Sequence, residues 1–371
     1  LGYTAGNFIP GKGIIRGSST CALLGKGDPN KLILNPVTLQ HIAFDPASEY
    51  PKSLMGVIAA IRQTVFDTIH YQQLREWTRR NPGLNRMEHN PALEAMELAI
   101  KPKDQQRVAV ETGSVLMIAR TAKLAEELNL DPVIVATGQE WRRPEILKRI
   151  NLQYIVPVAF PATPDLPDEL DWAEVSLDQL RAWDWAPEIP VILAKNGRNF
   201  SFTLHGLPDQ KSFRKNIQKS IERGLSEEIA LAALTTQPAK LLGMSSLLGT
   251  VEKGKLANLT IVDGGSWFNP NDPVAGVWIE GRHYPSSPPT PREDENENLG
   301  HKKMKPRIAK IPNDYRGVLK SPLNIIIRNA TIWTCSQVGV LTNASMHIKK
   351  WPHYSSWRNY KPPRFTRHID Y

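Results

Sequence analysis

The chain has 371 residues, a net charge of +9 and a sequence pI near 9.4. At about 100 to 200 residues per domain, this length allows two domains or one barrel with appendages. The basic residues are scattered and accompany no RNA-binding or helix-turn-helix signature, so we expect a charged surface and no nucleic-acid partner. No apolar run reaches the roughly 18 residues of a membrane-spanning helix, so we expect no membrane partner either.

The two cysteines, Cys21 and Cys335, lie in different predicted modules. This separation predicts neither a disulfide framework nor a metal cluster. The chain opens on Leu1 and carries no visible targeting segment, which we interpret as a processed product or an internal fragment. The sequence does not indicate a cell compartment.

The N-terminal part of the chain predicts a tight turn, short strands and two helices. The glycine-rich stretch at 11–24 lacks the Lys-Ser/Thr ending of a P-loop, so we predict a turn entering a barrel strand. Short strands are expected at 31–34 and 41–44. A long amphipathic helix runs from Leu54 through Trp77, and a second helix has Asn90 as its cap.

From Arg107 onward the pattern alternates strand and helix, which is typical of parallel α/β structure. The helices are expected at 114–128 and 145–149. The strands are expected at 107–110, 132–136, 154–158, 190–193 and 200–203. Trp183 and Trp185 fall in a loop-like segment, where we expect them to anchor the loop, the alternative being a substrate groove. In a barrel of this kind the chemistry lies at the C-terminal ends of the strands.

The stretch 226–264 predicts a helix, a second helix, a turn and a strand. Ser226 is placed to cap the first helix, and two glutamates follow it in the first turn, where the helix dipole favours acidic groups. Pro238 is expected to begin the second helix and Gly243 to end it. The alternating residues 256–262 then predict a strand.

This stretch resembles a known family signature. Its Ala-Leu-Thr-Thr-Gln-Pro-Ala-Lys-Leu-Leu-Gly and Leu-Gly-Thr-Val-Glu-Lys-Gly-Lys-Leu-Ala-Asn-Leu-Thr-Ile-Val-Asp-Gly runs are similar to the C-terminal signature of the amidohydrolase superfamily, close to imidazolonepropionase-like members. The resemblance implies an α/β fold: an incomplete TIM-like metal-hydrolase barrel, lacking its N-terminal part, with a partial β-sandwich. It also implies metal-activated hydrolysis of a non-peptide C–N bond in a small cyclic or linear amide.

The resemblance further implies Zn or another divalent metal. In the family the ligands are a His-x-His pair from the first strand, histidines after the fifth and sixth strands, and an aspartate after the eighth. This chain contains no His-x-His. The matching positions hold Glu111 after the fifth strand, Gly138-Gln139-Glu140 after the sixth and His205 after the eighth. Glu111 and His205 are the candidate metal ligands, the alternatives being a hydrogen-bonded mouth carboxylate and a loop residue. We expect no cofactor in this chain and assign no catalytic residue.

Five segments are predicted. These are a barrel at 1–245, post-barrel sandwich strands at 246–285, a linker at 286–320, the opening hairpin of a second amidohydrolase-like module at 321–350, and an irregular tail at 351–371. The linker is expected because its Pro-rich and then acidic composition offers no apolar pattern. The predicted partners are the missing N-terminal portion, the second module and, if the chain is active, a small-molecule substrate.

Two functional hypotheses follow from these observations. The first is an amidohydrolase module that does not hydrolyse its substrate as this isolated chain, because the metal ligands are largely absent. The second is a non-catalytic structural module that supports a catalytic partner domain. The sequence does not indicate the substrate or the oligomeric state.

Overall fold

The structure is a computed structural model that describes residues 2–46, 50–83, 87–101, 104–164, 174–286, 324–334, 339–349 and 365–366. The chain divides into two compact units, Leu1–Gly317 and Val318–Tyr371. Apart from Ser286 and a short strand at Phe365–Thr366, the expected linker and tail lie outside the described residues. The segment boundaries stay predictions.

The described strands form four hydrogen-bonded sheets. In chain order they are β1 (Ala5–Phe8), β2 (Ile15–Ser18), β3 (Thr20–Leu23), β4 (Ile33–Asn35), β5 (Gln40–Ala43), β6 (Val108–Glu111), β7 (Pro132–Val135), β8 (Gln153–Pro157), β9 (Phe200–Thr203), β10 (Leu259–Val262), β11 (Val274–Ile279), β12 (Arg282–Pro285), β13 (Asn324–Trp333), β14 (Val340–Lys349) and β15 (Phe365–Thr366).

The helices of the described residues all lie in the first unit. They are α1 (Pro29–Leu32), α2 (Leu54–Arg80), α3 (Pro91–Ile100), α4 (Val115–Leu128), α5 (Pro144–Arg149), α6 (Leu177–Trp185), α7 (Ile189–Lys195), α8 (Ser212–Glu222), α9 (Glu227–Leu234) and α10 (Thr236–Leu241). Among the described residues, no helix combines the length and the apolar character needed to cross a bilayer.

The largest sheet has six strands in the order β2-β5-β6-β7-β8-β9. The strands from β5 to β9 are parallel, while β2 pairs with β5 in the antiparallel sense. Parallel strands need helical crossovers, which the helices between β5 and β9 supply. The α/β prediction is confirmed, and we call these six strands the barrel sheet.

Both faces of the barrel sheet are covered by apolar side chains. On one face, Val108 and Val110 of β6 pack with Val57 and Ile61 of α2. On the other face, Ala109, Val133 and Ile155 form a second cluster with Leu241 of α10. A strand that is buried on both faces has a nearly continuous run of apolar residues. This pattern is why the parallel strands could be predicted from the sequence. The helix α10 therefore covers the face opposite to α2.

The predicted helix caps at Ser226 and Asn90 are confirmed. The side chain of Ser226 accepts a hydrogen bond from the Ile229 amide. Ser114, whose capping role the sequence analysis did not predict, accepts one from the Leu116 amide at the start of α4. Asn90 caps α3 in the same way, with Pro91 in the first turn. A short polar acceptor at the cap satisfies an amide that has no partner within the helix. These caps set the start of each helix.

The strand predicted at 190–193 is wrong, because these residues belong to helix α7 (Ile189–Lys195). The helix continues directly from a 3₁₀ turn at Ala186–Glu188. Pro190 lies in the first turn, where its missing amide hydrogen costs nothing. Ile189, Val191 and Leu193 are all buried in this helix. A short, fully buried helix and a buried strand both have a continuous run of apolar residues in the sequence, so the two cannot be distinguished by periodicity.

Three smaller expectations are corrected. Residues 31–34 are divided between α1, which Asp28 caps, and β4. The strand expected at 256–262 is only Leu259–Val262. The loop expected around Trp183 and Trp185 is helix α6, which begins with a capping box at Ser176. Trp185 packs edge-to-face on Trp141 with ring centroids 5.2 Å apart, so this tryptophan anchors its segment to the α/β core.

Two three-stranded sheets contact each other beside the barrel sheet. One has the order β1-β3-β4 and the other β10-β11-β12, both antiparallel. The Thr260 hydroxyl donates to the Gly2 carbonyl, and the Lys26 amide donates to the Tyr284 hydroxyl at 2.9 Å. Residues 259–285 thus contain one of these two contacting sheets, and the sequence analysis did not anticipate that residues 5–35 contain the other. The sandwich predicted at 246–285 stays a prediction.

The second unit contains the predicted hairpin. Strands β13 and β14 pair in the antiparallel sense, with Ile327 opposite Met346 and Trp333 opposite Val340. Strand β15 pairs with the other edge of β14. Residues 324–333 and 340–349 therefore form an antiparallel strand pair, while the assignment of residues 321–350 to the opening hairpin of a second amidohydrolase-like module stays a prediction.

Candidate functional site

Three charged or titratable side chains meet at the C-terminal ends of the parallel strands, where one of them contacts the other two. Glu111 is the last residue of β6, and His205 follows the end of β9. The Nε2 atom of His205 lies 3.9 Å from Oε2 of Glu111. Arg16, on β2, donates from Nη1 to Oε1 of Glu111. We call Arg16, Glu111 and His205 the mouth cluster.

The mouth cluster joins residues from separate strands of the barrel sheet. Strands β6 and β9 are three positions apart, which corresponds to about 14 Å in a flat sheet at the usual strand spacing. The side chains of Glu111, at the end of β6, and His205, two residues beyond β9, bridge this separation. The structure thus joins the two candidate ligands that the sequence placed on separate strands.

Arg16 is held in place by its backbone surroundings as well as by Glu111. Its Nε donates to the Gly13 carbonyl at 3.0 Å. Gly13 has a φ of +130°, a conformation that favours glycine. The Arg16 side chain is only 10% exposed and that of Glu111 is 21% exposed. The guanidinium is a fixed part of the site, and the sequence analysis missed it.

His41 lies deeper, on β5, beside the mouth cluster. Its side chain is buried, and Nε2 lies 2.9 Å from the Ser19 hydroxyl. Burial, together with the nearby charges of Arg16 and His205, lowers the pKa of His41 to about 4. The Nδ1 atom is buried without a hydrogen-bond partner. His41 is therefore neutral at physiological pH, and this residue was also missed by the sequence analysis.

The serine next to His41 is a structural group. Ser19 is fully buried. Its hydroxyl receives a hydrogen bond from the Asn7 amide at 3.0 Å and lies 2.8 Å from the Thr38 hydroxyl. A nucleophile needs an open approach for its substrate. The Ser19–His41 pair instead joins the small β1-β3-β4 sheet to the barrel sheet.

The position after β7 also holds a structural carboxylate. Glu140 is fully buried and accepts hydrogen bonds from the amides of Thr137 at 2.6 Å and Gly138 at 3.0 Å. Burial raises the pKa of Glu140, and these hydrogen bonds oppose that shift. Both carboxylate oxygens of Glu140 accept hydrogen bonds from the backbone of the turn that precedes it. It adds no ligand to the mouth cluster.

The mouth cluster does not fit a divalent metal. An open catalytic zinc site needs three protein ligands from histidine, cysteine or carboxylate groups. In the part of the chain that the structure describes, no group of three or more such residues is placed to hold a metal ion. The carboxylate of Glu111 instead faces a guanidinium, whose positive charge opposes a second cation at the same place.

A separate polar cleft of about 240 Å³ lies at the opposite ends of the strands. Arg107 crosses it, donating to Asp131 at 3.0 Å and to Gln153 at 2.6 Å. These residues stand at the N-terminal ends of parallel strands, a face that in barrel folds contributes to stability. The cleft is therefore a weaker candidate for chemistry than the mouth cluster.

Comparison with known proteins supports the fold. Residues 196–283 match the sequence model described as the Amidohydrolase family. The structure is similar to an amidohydrolase from Thermotoga maritima MSB8, with a TM-score of 0.62 and 19% identity over 76% of this chain and 72% of that chain. A prolidase complexed with N-methylphosphonate-L-proline is less similar, with a TM-score of 0.37 and 16% identity over 49% of this chain and 46% of that chain. The comparison with curated proteins gives no match.

The comparison with solved structures supports the α/β fold, and residues 196–283 are similar to the Amidohydrolase family. The resemblance to the amidohydrolase superfamily that the sequence predicted is thereby confirmed. The chain spans less than half of the prolidase, whose TM-score is too low to support any argument about function. Activity, substrate and partners therefore have to be argued from the site.

Proposed function

We propose that this chain is an amidohydrolase-type module in which an ion-pair cluster takes the place of the metal centre. In this proposal the chain does not hydrolyse a substrate by itself and supports a catalytic partner module. The observation that carries it is the contact of Arg16 with Glu111 at the end of β6. The guanidinium supplies the positive charge that a metal ion would otherwise bring to this carboxylate.

Electrostatics supports this reading. Two like unit charges 4 Å apart repel by about 4 kcal/mol at the effective dielectric constant typical of protein sites. A divalent ion on Glu111 would face at least this repulsion from Arg16. The hydrogen bond from Arg16 to the Gly13 carbonyl at 3.0 Å also restrains Arg16 from moving away from such an ion.

The second candidate function is hydrolysis of a non-peptide C–N bond in a small amide. The 3.9 Å approach of His205 to Glu111 favours it, because both groups can ligate zinc. This function would require Glu111 and His205 to hold Zn or another divalent ion, whose chemistry is the acidification of a bound water molecule. A third ligand would then have to come from outside the mouth cluster, for example from the second module or from the N-terminal portion that the resemblance implies.

Metal analysis of the full chain separates the two candidates. After dialysis against zinc, manganese or iron, we expect less than one equivalent of metal per chain, and the same result for Glu111→Gln. Glu145→Gln, a surface carboxylate whose side chain is 49% exposed, is the matched control. One or two tightly held ions that Glu111→Gln removes and Glu145→Gln retains would refute the ion-pair proposal.

A further inference from the structure

The polar cleft at the N-terminal ends of the parallel strands is bordered by two sides of unequal charge. On the side of β6 and β7, Arg107 is paired with Asp131 at 3.0 Å, so its charge is compensated. The side of β8 and β9 is formed by residues from the segments 148–153 and 195–199. These two segments contain no acidic residue and four cations, Lys148, Arg149, Lys195 and Arg198. We call these four cations the basic rim.

The basic rim lies directly beside the cleft. Arg198 stands in the chain between Gly197 and Asn199, both of which line the cleft. Its Nη1 donates a hydrogen bond to Oδ1 of Asn151, which lines the cleft from the neighbouring segment. Arg149 precedes Asn151 by two residues. The cations of the two segments are thus brought to one border of the cleft.

The charge of the basic rim is not compensated by acidic side chains. Within the described part of the chain, none of its four members takes part in an ion pair. Arg198 donates to the carbonyls of Leu147 at 3.0 Å and Lys148 at 2.8 Å, which lie at the end of α5. Arg198 therefore compensates the partial negative charge of this helix end. The other three members of the rim are exposed, and their charge remains available to a partner.

The cleft also presents neutral hydrogen-bond donors. Among the described residues, the backbone amides of Asn151, Leu152 and Asn199 donate to no protein acceptor. The three residues line the cleft. Backbone amides combined with guanidinium or ammonium groups are the donors with which proteins hold phosphate. The donors and the excess positive charge therefore indicate an anionic ligand with several acceptor oxygens.

The size and polarity of the cleft restrict this ligand. Sites for drug-sized ligands occupy about 300 to 1,000 Å³, so a cleft of about 240 Å³ takes a smaller molecule. A phosphate monoester carries a charge of about −1.5 to −2 at pH 7 and three strong acceptor oxygens. These properties match the four cations of the rim and the donors of the cleft better than a single carboxylate does. The side chains of Asn199 and Gln153 provide polar contacts for a small carbon skeleton.

We propose that the polar cleft and the basic rim bind a small organic phosphate. This inference goes beyond the proposed function and uses no residue of the mouth cluster, so either proposal can fail without the other. Phosphorus NMR on the full chain tests it, with inorganic phosphate and glycerol phosphate as probes. The phosphorus signal of each probe should broaden and shift saturably as protein is added. Glycerol phosphate should bind more tightly, because its carbon skeleton also contacts the cleft.

Removal of two rim charges should weaken the binding of glycerol phosphate. We expect about a tenfold loss of affinity at low salt in the double variant Arg149→Gln, Lys195→Gln. Both side chains are exposed, so the fold should be retained, which circular dichroism verifies. The matched control is Lys31→Gln, Lys253→Gln, which removes the same charge from exposed positions outside the barrel sheet and should bind like the wild type. Equal affinities of the two double variants would overturn the proposal.

The acidic residue of the cleft provides a test with the opposite sign. Asp131→Asn removes the negative charge beside Arg107, so affinity for glycerol phosphate should rise about threefold. A purely structural role of the Arg107–Asp131 pair predicts no such gain. An Asp131→Asn variant that folds and binds no more tightly than the wild type would contradict the proposed site.

Two further probes present phosphate on a surface and on a polymer. These are vesicles containing phosphatidic acid and a short single-stranded oligonucleotide. The cleft should favour the small molecule, because only a small molecule can enter it. Binding of the vesicles or the oligonucleotide without saturable binding of glycerol phosphate would overturn the proposal, as would the absence of binding by either small probe.

Discussion

Arg16 contacts Glu111 across 95 residues of sequence, from the antiparallel edge strand of the barrel sheet to the end of β6. Both side chains are largely removed from water. In such surroundings the loss of one partner leaves the other charge without compensation. The ion pair is therefore part of what holds the first strands against the parallel core.

Replacing Arg16 by glutamine should destabilise the protein. Exposed pairs contribute up to about 1 kcal/mol, and removing one partner of a buried pair costs about 3 to 5 kcal/mol. For this partly buried pair we expect a loss of about 2 kcal/mol in the free energy of unfolding, measured by urea titration. Arg62→Gln is the control, because its pair with Glu127 is about 40% exposed and its loss should lower the free energy of unfolding by less than the loss of Arg16. Equal losses in the two variants would contradict the role assigned to Arg16.

His41 should make the protein less stable in mild acid. Its pKa is about 4 in the folded protein and 6.5 in the reference state, so the unfolded chain binds a proton more readily between these values. The stability that neutral His41 contributes is present above pH 6.5 and is lost as the pH falls toward 4. Between pH 7 and pH 4.5 this amounts to about 2 kcal/mol.

The change in unfolding free energy over this pH range should therefore be smaller in His41→Asn than in the wild type. His89→Asn serves as the control, since the His89 side chain is 69% exposed. Urea titrations at a series of pH values give the comparison. An unchanged pH dependence in His41→Asn would show that His41 does not titrate with folding.

Arg214 should be intolerant of lysine. Its guanidinium donates to the carbonyls of Trp267 at 2.8 Å, Asn269 at 2.7 Å and Asp272 at 2.8 Å. A lysine ammonium is a compact point charge and lacks the planar, forked arrangement of N–H donors with which arginine reaches all three carbonyl oxygens. We expect Arg214→Lys to lose about 2 to 3 kcal/mol in chemical denaturation. Arg79→Lys, with a side chain 76% exposed, should change stability by less than about 0.5 kcal/mol.

Local signals in the sequence predicted much of the first unit. The capping residues Asn90 and Ser226 act within a few residues of the chain, so they can be recognised without knowledge of the fold. The strand at 200–203 was predicted with the bounds the structure gives. The prediction at 190–193 was wrong because a helix that is buried on all sides has no polar face, so the sequence does not show the helical periodicity.

The mouth cluster could be predicted only in part. Glu111 and His205 were found because they occupy positions where the family resemblance places ligands. Arg16 was missed because its contact with Glu111 depends on the pairing of β2 with β5 and of β5 with β6. The residues near Arg16 in the chain do not indicate this pairing. His41 was missed for the same reason, since burial and neighbouring charges lower its pKa. No local motif marks either residue.

The contact of the Lys26 amide with Tyr284 joins groups that are 258 residues apart in the chain. A ribosome adding about 5 to 20 residues per second needs roughly 13 to 52 s to make the intervening chain. During this time strands β1, β3 and β4 exist without the sheet they pack against. Because contacts of such long range form late, strands β1, β3 and β4 leave the ribosome well before the strands they contact and are among the last to reach their final surroundings.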